Sequence, residues 1–142
     1  MIEFSKMHGL GNDFILIDSR KTSISLTSEH IRVISDRHFG VGCDQVMIMY
    51  PAKKSGDVYL KMLNSDGSET GACGNGTRCV ASVLLTELNT DIVHIETVSG
   101  MLRAFRNGDM IAVDMGPAYF MPKDIPFYSS ELPSDDLLFV PF

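Results

Sequence analysis

Apolar residues in this chain fall into short runs set between glycine-rich loops. Residues 2–7 alternate weakly and predict a strand, and Phe14-Ile-Leu-Ile17 predicts a second. Between them, His8-Gly-Leu-Gly-Asn-Asp13 has the composition of a tight loop, so the pair predicts a hairpin with Asn12 and Asp13 at its tip. Thr27-Ser-Glu29 predicts a helix start, with Thr27 as cap. Ile31 and Ile34 share one face of that helix, Val33 widens it, and Arg37-His38 suit the negative pole of its dipole. A second glycine-rich loop, residues 40–45, leads into a predicted strand over 46–49. Residues 53–57 read as a solvated turn, and residues 58–63 as a strand that delivers Asn64 at its carboxyl end. Residues 92–98 predict another strand. Residues 101–105 and 110–113 flank Asn107-Gly108, the strongest short hairpin signal in the chain. Beyond Gly116-Pro117 the pattern dissolves among Pro122, Pro126, Pro133 and Pro141. Residues 134–136 read as an exposed turn, and the apolar, β-like run 137–142 suggests a continuation.

One element differs from the rest. After Gly76, residues Val80, Ala81, Val83, Leu84, Leu85 and Leu88 cover a wide arc at the helical spacing of about 100° per residue. The remaining arc is filled mostly by the small side chains of Thr77, Ser82 and Thr86. A helix apolar over more than its usual stripe is largely surrounded by protein. The pattern therefore predicts an α+β fold in which a sheet wraps a central helix, with Arg78 and Glu87 solvated or paired toward the helix ends.

Composition narrows the partners. The 142 residues suggest one domain, and 44% hydrophobic with 21% charged residues describes a globular chain. The net charge of −6 and the scattered Lys and Arg argue against nucleic acid. No apolar run is long enough to span a membrane. An odd count of three cysteines, with no basic-then-apolar leader, fits reduced thiols in a cytoplasm. Cys43, Cys73 and Cys79 match no zinc spacing and the four histidines are dispersed, so no metal site is expected.

The candidate chemistry lies where the glycine cluster Gly71-Ala-Cys-Gly-Asn-Gly76 enters the central helix. The free N–H groups of a first helical turn and the helix dipole favour negative charge, whether a thiolate or a bound carboxylate. Two roles fit Cys73: an inert cysteine in a turn, or a base or nucleophile with an acidic substrate on the adjacent amides. The glycines on both sides favour the second, because a structural cysteine does not need its surroundings cleared for another molecule to approach.

Four stretches carry a family resemblance: Lys6-Met-His-Gly-Leu-Gly-Asn-Asp-Phe14, Arg37-His-Phe-Gly-Val-Gly-Cys-Asp-Gln45, Asn64-Ser-Asp-Gly-Ser-Glu69 and Cys73-Gly-Asn-Gly-Thr-Arg-Cys79. In order and spacing they resemble the diaminopimelate epimerases. Proline-racemase-type enzymes have a similar cysteine loop, usually with histidine where this chain has Asn75. The resemblance implies an epimerase without pyridoxal phosphate or other cofactor, interconverting LL- and meso-2,6-diaminoheptanedioate for lysine and cell-wall synthesis. It implies a mixed, barrel-like sheet around a central helix. Residues 1–142 are then the N-terminal domain of a two-domain enzyme whose C-terminal half carries the second catalytic cysteine, and a homodimer is left open for the full-length enzyme. By the same resemblance Cys73 is one of two acid–base groups, Gly74 and Asn75 offer N–H groups to the reacting carboxylate, and Asn12, Gln45 and Asn64 contact substrate. Cys43 and Cys79 read as structural. A different cofactor-free racemase, and a non-catalytic half-domain, remain the alternatives.

Overall fold

The computed structural model of the chain describes residues 2–120. The strand expected over 137–142, the turn at 134–136 and the four prolines from 122 onward lie outside the described residues. In chain order the elements are β1 (Ser5–Gly9), β2 (Asn12–Asp18), α1 (Ser28–Ser35), β3 (Gln45–Tyr50), β4 (Val58–Asn64), β5 (Glu69–Thr70), α2 (Gly74–Glu87), β6 (Ile92–Thr97), β7 (Gly100–Asn107) and β8 (Met110–Asp114). The strands form one mixed sheet in the order β1-β2-β3-β4-β6-β7-β8, with β5 pairing β4 beside that path. β2–β3 and β4–β6 are parallel, and the other pairs are antiparallel.

The sheet curls around α2, which packs against β1, β2, β3, β6, β7 and β8, and so against both edge strands. This is the α+β half-barrel that the apolar arc of the helix called for. Val80, Ala81, Leu84 and Leu85 are fully buried among Phe14, Leu16, Met47, Met49, Leu60, Met62, Val93, Ile95 and Ala104. The intervening residues of β2 and β3 face the other way. Ile15, Ile17, Val46 and Ile48 pack with Ile31 of α1 in a second cluster. A parallel strand pair buried on both faces explains why these runs are continuously apolar and do not alternate.

Several boundaries move. The β1–β2 hairpin turns through Leu10-Gly11, both at positive φ (56° and 87°), so Asn12 and Asp13 are not at the tip but open β2. Two positive φ values make this the two-residue turn whose twist matches the paired strands. At the other hairpin the turn is Gly108-Asp109, one residue beyond the Asn-Gly pair, because Asn107 still pairs with Met110. Thr27 caps α1 as expected, its side chain accepting from His30 N–H at 3.3 Å. The helix ends at Ser35, however, so Arg37 lies outside it, and Val33 faces solvent at 60% exposure. Leu88, placed in the apolar arc of α2, is 46% exposed just past the helix end. Arg20 bridges Asp18 and Glu87 at 2.7 Å each, which ties the far end of α2 to β2.

Candidate active site

β2 and β3 begin, and β4 ends, at one end of the sheet, because β2–β3 is parallel and β3–β4 antiparallel. That topology collects Asn12, Gln45 and Asn64 from three distant stretches of chain. α2 also begins there. It comes close because Gly76 has no side chain: a Cβ on it would sit 2.0 Å from Met47 Cε and 3.3 Å from Phe14 Cε1. Gly9 allows a second close approach, since a Cβ there would lie 3.2 Å from the Asn75 carbonyl oxygen.

Cys73 is the N-cap of α2, in extended backbone. Its sulfur accepts from the Gly76 N–H at 3.4 Å, and its carbonyl oxygen accepts from the Thr77 N–H and Oγ1 at 2.9 Å each. The N–H groups of Gly74 and Asn75, the first two of the helix, find no acceptor among the described residues. These are the orphan donors of a helix start, and they suit an anion. Among the described residues beyond its chain neighbours and its own helix, only Met115 Sδ, at 3.8 Å, comes within contact distance of a Cβ built on Gly74.

The side chains form two groups. Asn12 Oδ1 accepts from Asn75 Nδ2 at 3.3 Å and lies 4.0 Å from Cys73 Sγ. Separately, Gln45 Nε2 donates to Asn64 Oδ1 at 2.8 Å, while Asn64 Nδ2 donates to Ser68 Oγ at 3.0 Å. Gln45 Oε1 is shielded from solvent and has no partner among the described residues, which leaves an acceptor to be met by something else. The structure thus brings Asn12, Cys73 and Asn75 into contact, and Gln45 with Asn64 into a second pair at the same sheet end.

Beside the site, joined to it by Asn12 Nδ2 donating to Asp44 Oδ2, lies a charged network that sequence reasoning missed. Arg37 donates to both oxygens of Asp13 (2.8 and 3.0 Å) and to Asp44 Oδ1 (2.8 Å). Lys6 pairs with Asp13 at 2.8 Å and donates to the Gly42 carbonyl. Asp13 N–H donates to Asp44 Oδ2 at 3.0 Å, and Asp44 N–H returns the bond to Asp13 Oδ1 at 3.0 Å. The starts of the two parallel strands are stapled by this exchange. The Arg37 guanidinium, with Lys6, holds the Asp13 carboxyl well below the usual carboxylate range. The Asn12 amide, the Asp13 N–H and Arg37 also lower the Asp44 carboxyl from its ordinary value. Arg37 is therefore an ion-pair partner and not a helix-dipole cation. The available signal was local: Asn12-Asp13 and Asp44-Gln45 each set an acidic residue beside a site amide.

The other two cysteines sit in the packing. Cys43 is 2% exposed with its sulfur 3.4 Å from Ser35 Oγ, and Cys79 is 6% exposed in the cluster around α2. Burial pushes both thiols up. No group of three or more His, Cys, Asp or Glu residues suited to a metal ion occurs among the described residues, and no helix there is long and apolar enough to cross a membrane.

The curled sheet around one helix is shared with solved structures. A hydroxyproline epimerase from Agrobacterium vitis, determined with trans-4-hydroxy-L-proline bound, superposes with a TM-score of 0.56 at 15% identity. The match covers 79% of this chain and 40% of that one. At this identity the likeness defines a class by fold: an epimerase-like α+β half-barrel, here with a cysteine capping its central helix. Sequence then narrows the class. The family model for diaminopimelate epimerase matches residues 4–121, and the chain belongs to that family. It is 49% identical to the diaminopimelate epimerase of Rhodospirillum centenum over 117 residues, which is 81% of this chain and 40% of that protein. It is 44% identical to that of Blochmanniella pennsylvanica over an alignment of 144 positions, gaps included, that covers 99% of this chain and 53% of that protein. The chain spans about half the length of the curated relatives it matches.

Proposed function

We propose that this chain is the N-terminal domain of a two-domain enzyme that interconverts LL- and meso-2,6-diaminoheptanedioate without a cofactor, in a cytoplasm, and that it supplies one face of the site. The observation that carries the reading is a cysteine capping a helix whose next two N–H groups are free, with site amides gathered beside it, in a chain of the diaminopimelate epimerase family.

The chemistry assigns the parts. Removing the Cα proton of an amino acid leaves a carbanion beside a carboxylate, so charge develops on the carboxylate oxygens. Preorganised N–H donors stabilise that charge most when it appears. Gly74 and Asn75 are the donors in this reading. The Cys73 sulfur, as thiolate, takes the proton from one face of Cα, or as thiol delivers one to it. A second thiol on the opposite face does the reverse, and inversion follows. Asn12, Gln45 and Asn64 hold the polar groups of the substrate, with the unpartnered Gln45 Oε1 offering an acceptor to a donor group. The second thiol and the rest of the carboxylate cradle come from the C-terminal half.

The chain alone is expected to lack turnover. Losing one of two acid–base groups costs about 10²–10⁴-fold, and losing half of an electrostatic cradle costs a further factor of about 10². The test is to incubate the chain with LL-diaminopimelate in D₂O and follow Cα–H exchange and meso product by NMR, with proline as a competing substrate class. No exchange is expected until the C-terminal half is added in trans, and none then with Cys73→Ala. Turnover by the chain alone that Cys73→Ala abolishes would refute the half-site reading. Undiminished turnover by Cys73→Ala in the reconstituted enzyme would refute the role of Cys73.

A further inference from the structure

We propose that Asp44 and Arg78 are positioning residues that anchor the two ends of a one-way hydrogen-bond relay, Arg78→Asn75→Asn12→Asp44, and so fix which end of the Asn12 amide faces Cys73. The inference rests on the acid–base role of Cys73 given above.

An asparagine amide has two ends of nearly equal shape and opposite function, so its orientation is set by its partners. Here both partners at the relay ends are unambiguous. A guanidinium can only donate and a carboxylate can only accept. Arg78, one helical turn along α2 from Asn75, donates to Asn75 Oδ1. Asn75 must then present its Nδ2, which donates to Asn12 Oδ1 at 3.3 Å. Asn12 in turn presents its Nδ2 to Asp44 Oδ2 at 2.8 Å. Asp44 cannot turn away, because Arg37 holds its other oxygen at 2.8 Å and the Asp13 N–H shares Oδ2 at 3.0 Å. Bonds to charged groups are the stronger kind, and they occupy both ends.

The consequence falls on the sulfur. Asn12 Oδ1 lies 4.0 Å from Cys73 Sγ on one side, and the Gly76 N–H lies 3.4 Å away on another. The carbonyl oxygen accepts from a thiol and opposes a thiolate, and the N–H does the reverse. A group that must hold a proton at one moment and lack it at the next is served by both. If both anchors are lost, Asn12 can turn its Nδ2 to the sulfur, and the thiolate is favoured.

Charge and polarity can be separated. Removing Asp44 deletes a negative charge and removing Arg78 a positive one, so simple field effects on the thiolate have opposite signs and cancel in the double variant. The relay predicts otherwise, because either anchor alone keeps Asn12 in place. The assay is the rate of Cys73 carboxamidomethylation by limiting iodoacetamide at neutral pH, mapped by mass spectrometry, for the parent, Asp44→Ala, Arg78→Met and the double variant. Dispersed ¹H–¹⁵N spectra establish that each is folded. Asp13→Asn, which loses Arg37 and Lys6 pairing but touches neither relay amide side chain, is the control and should stay near the parent rate. Each single change is expected to alter the rate by about threefold or less, and the double to raise it about tenfold or more, beyond the product of the singles. Arg78→Lys, still a pure donor, should lower the rate again in the Asp44→Ala background. A second readout needs no variant: a trans-hydrogen-bond coupling between Asn12 Nδ2 and the Asp44 carboxylate carbon in the parent. Absence of that coupling, or a double variant equal to the product of the singles while Cys73 remains the fastest thiol, overturns the relay and leaves the function standing. If Cys43 or Cys79 reacts faster than Cys73 in the parent, both readings fall.

Discussion

Gly76→Ala places one methyl group at the point where α2 meets the sheet, and the structure allows its effect to be worked out. The added Cβ would lie 2.0 Å from Met47 Cε, 3.1 Å from Met47 Sδ and 3.3 Å from Phe14 Cε1. Both neighbours are fully buried, so neither can swing into solvent. A thioether is the most adaptable core side chain, which moderates the clash. Overpacking of this kind costs about 1–3 kcal/mol. Against it stands the helix propensity of alanine over glycine, worth about 1 kcal/mol in a helix interior and less in the first turn. The net expectation is a loss of about 1–2 kcal/mol, which for a chain of this size lowers Tm by roughly 3–10 °C. The assay is thermal unfolding of the parent, Gly76→Ala, Met47→Val and the double variant. Met47→Val removes the atoms nearest the new methyl, so the double should cost at least about 1 kcal/mol less than the sum of the singles. Strict additivity, or a Tm above that of the parent for Gly76→Ala, would show that α2 does not rely on a bare backbone to approach β2 and β3.

Leu84→Asp puts a charge at a fully buried position on the inner face of α2 and should cost several kcal/mol, on the order of the chain's whole stability. A melting temperature within a few degrees of the parent would mean the sheet does not enclose the helix. Glu96 gives a pH-dependent test. Its carboxylate accepts from the N–H groups of Lys53, Lys54 and Gly56 at 2.8 Å each, and these donors, Gly56 first, hold it below its ordinary value of 4.5. Because the folded-state value is the lower one, this stabilisation is present above pH 4.5 and is lost as the pH falls through the folded-state value. Glu96→Gln should therefore melt lower than the parent at neutral pH, with the difference closing in acid. A difference that stays constant through that window would refute the assignment.

The sequence announced what each element does locally, because burial leaves its period on the residues. The wide apolar arc from Val80 to Leu85 identified a helix enclosed by sheet, and Thr27 announced its helix start. Cys73 among glycines could be placed at a helix entrance, because capping and backbone freedom are properties of neighbours in the chain. The motif order carried the family. Contacts between distant stretches were a different matter. That Asn12 meets Asn75 and Cys73, 63 and 61 residues away, follows from strand order and from two glycines that let backbones approach. Asn12 and Asp13 read as turn formers because polar residues after glycines usually are. The positive φ of Leu10 and Gly11 instead completes the turn before them and turns both into strand residues with fixed directions. Arg37 looked like the end of a helix, yet its partners Asp13 and Asp44 come from the starts of two parallel strands. Periodicity reports whether a residue is buried, but not against what. An ion pair or an amide orientation depends on partners brought together by the fold, and these leave no period in the chain.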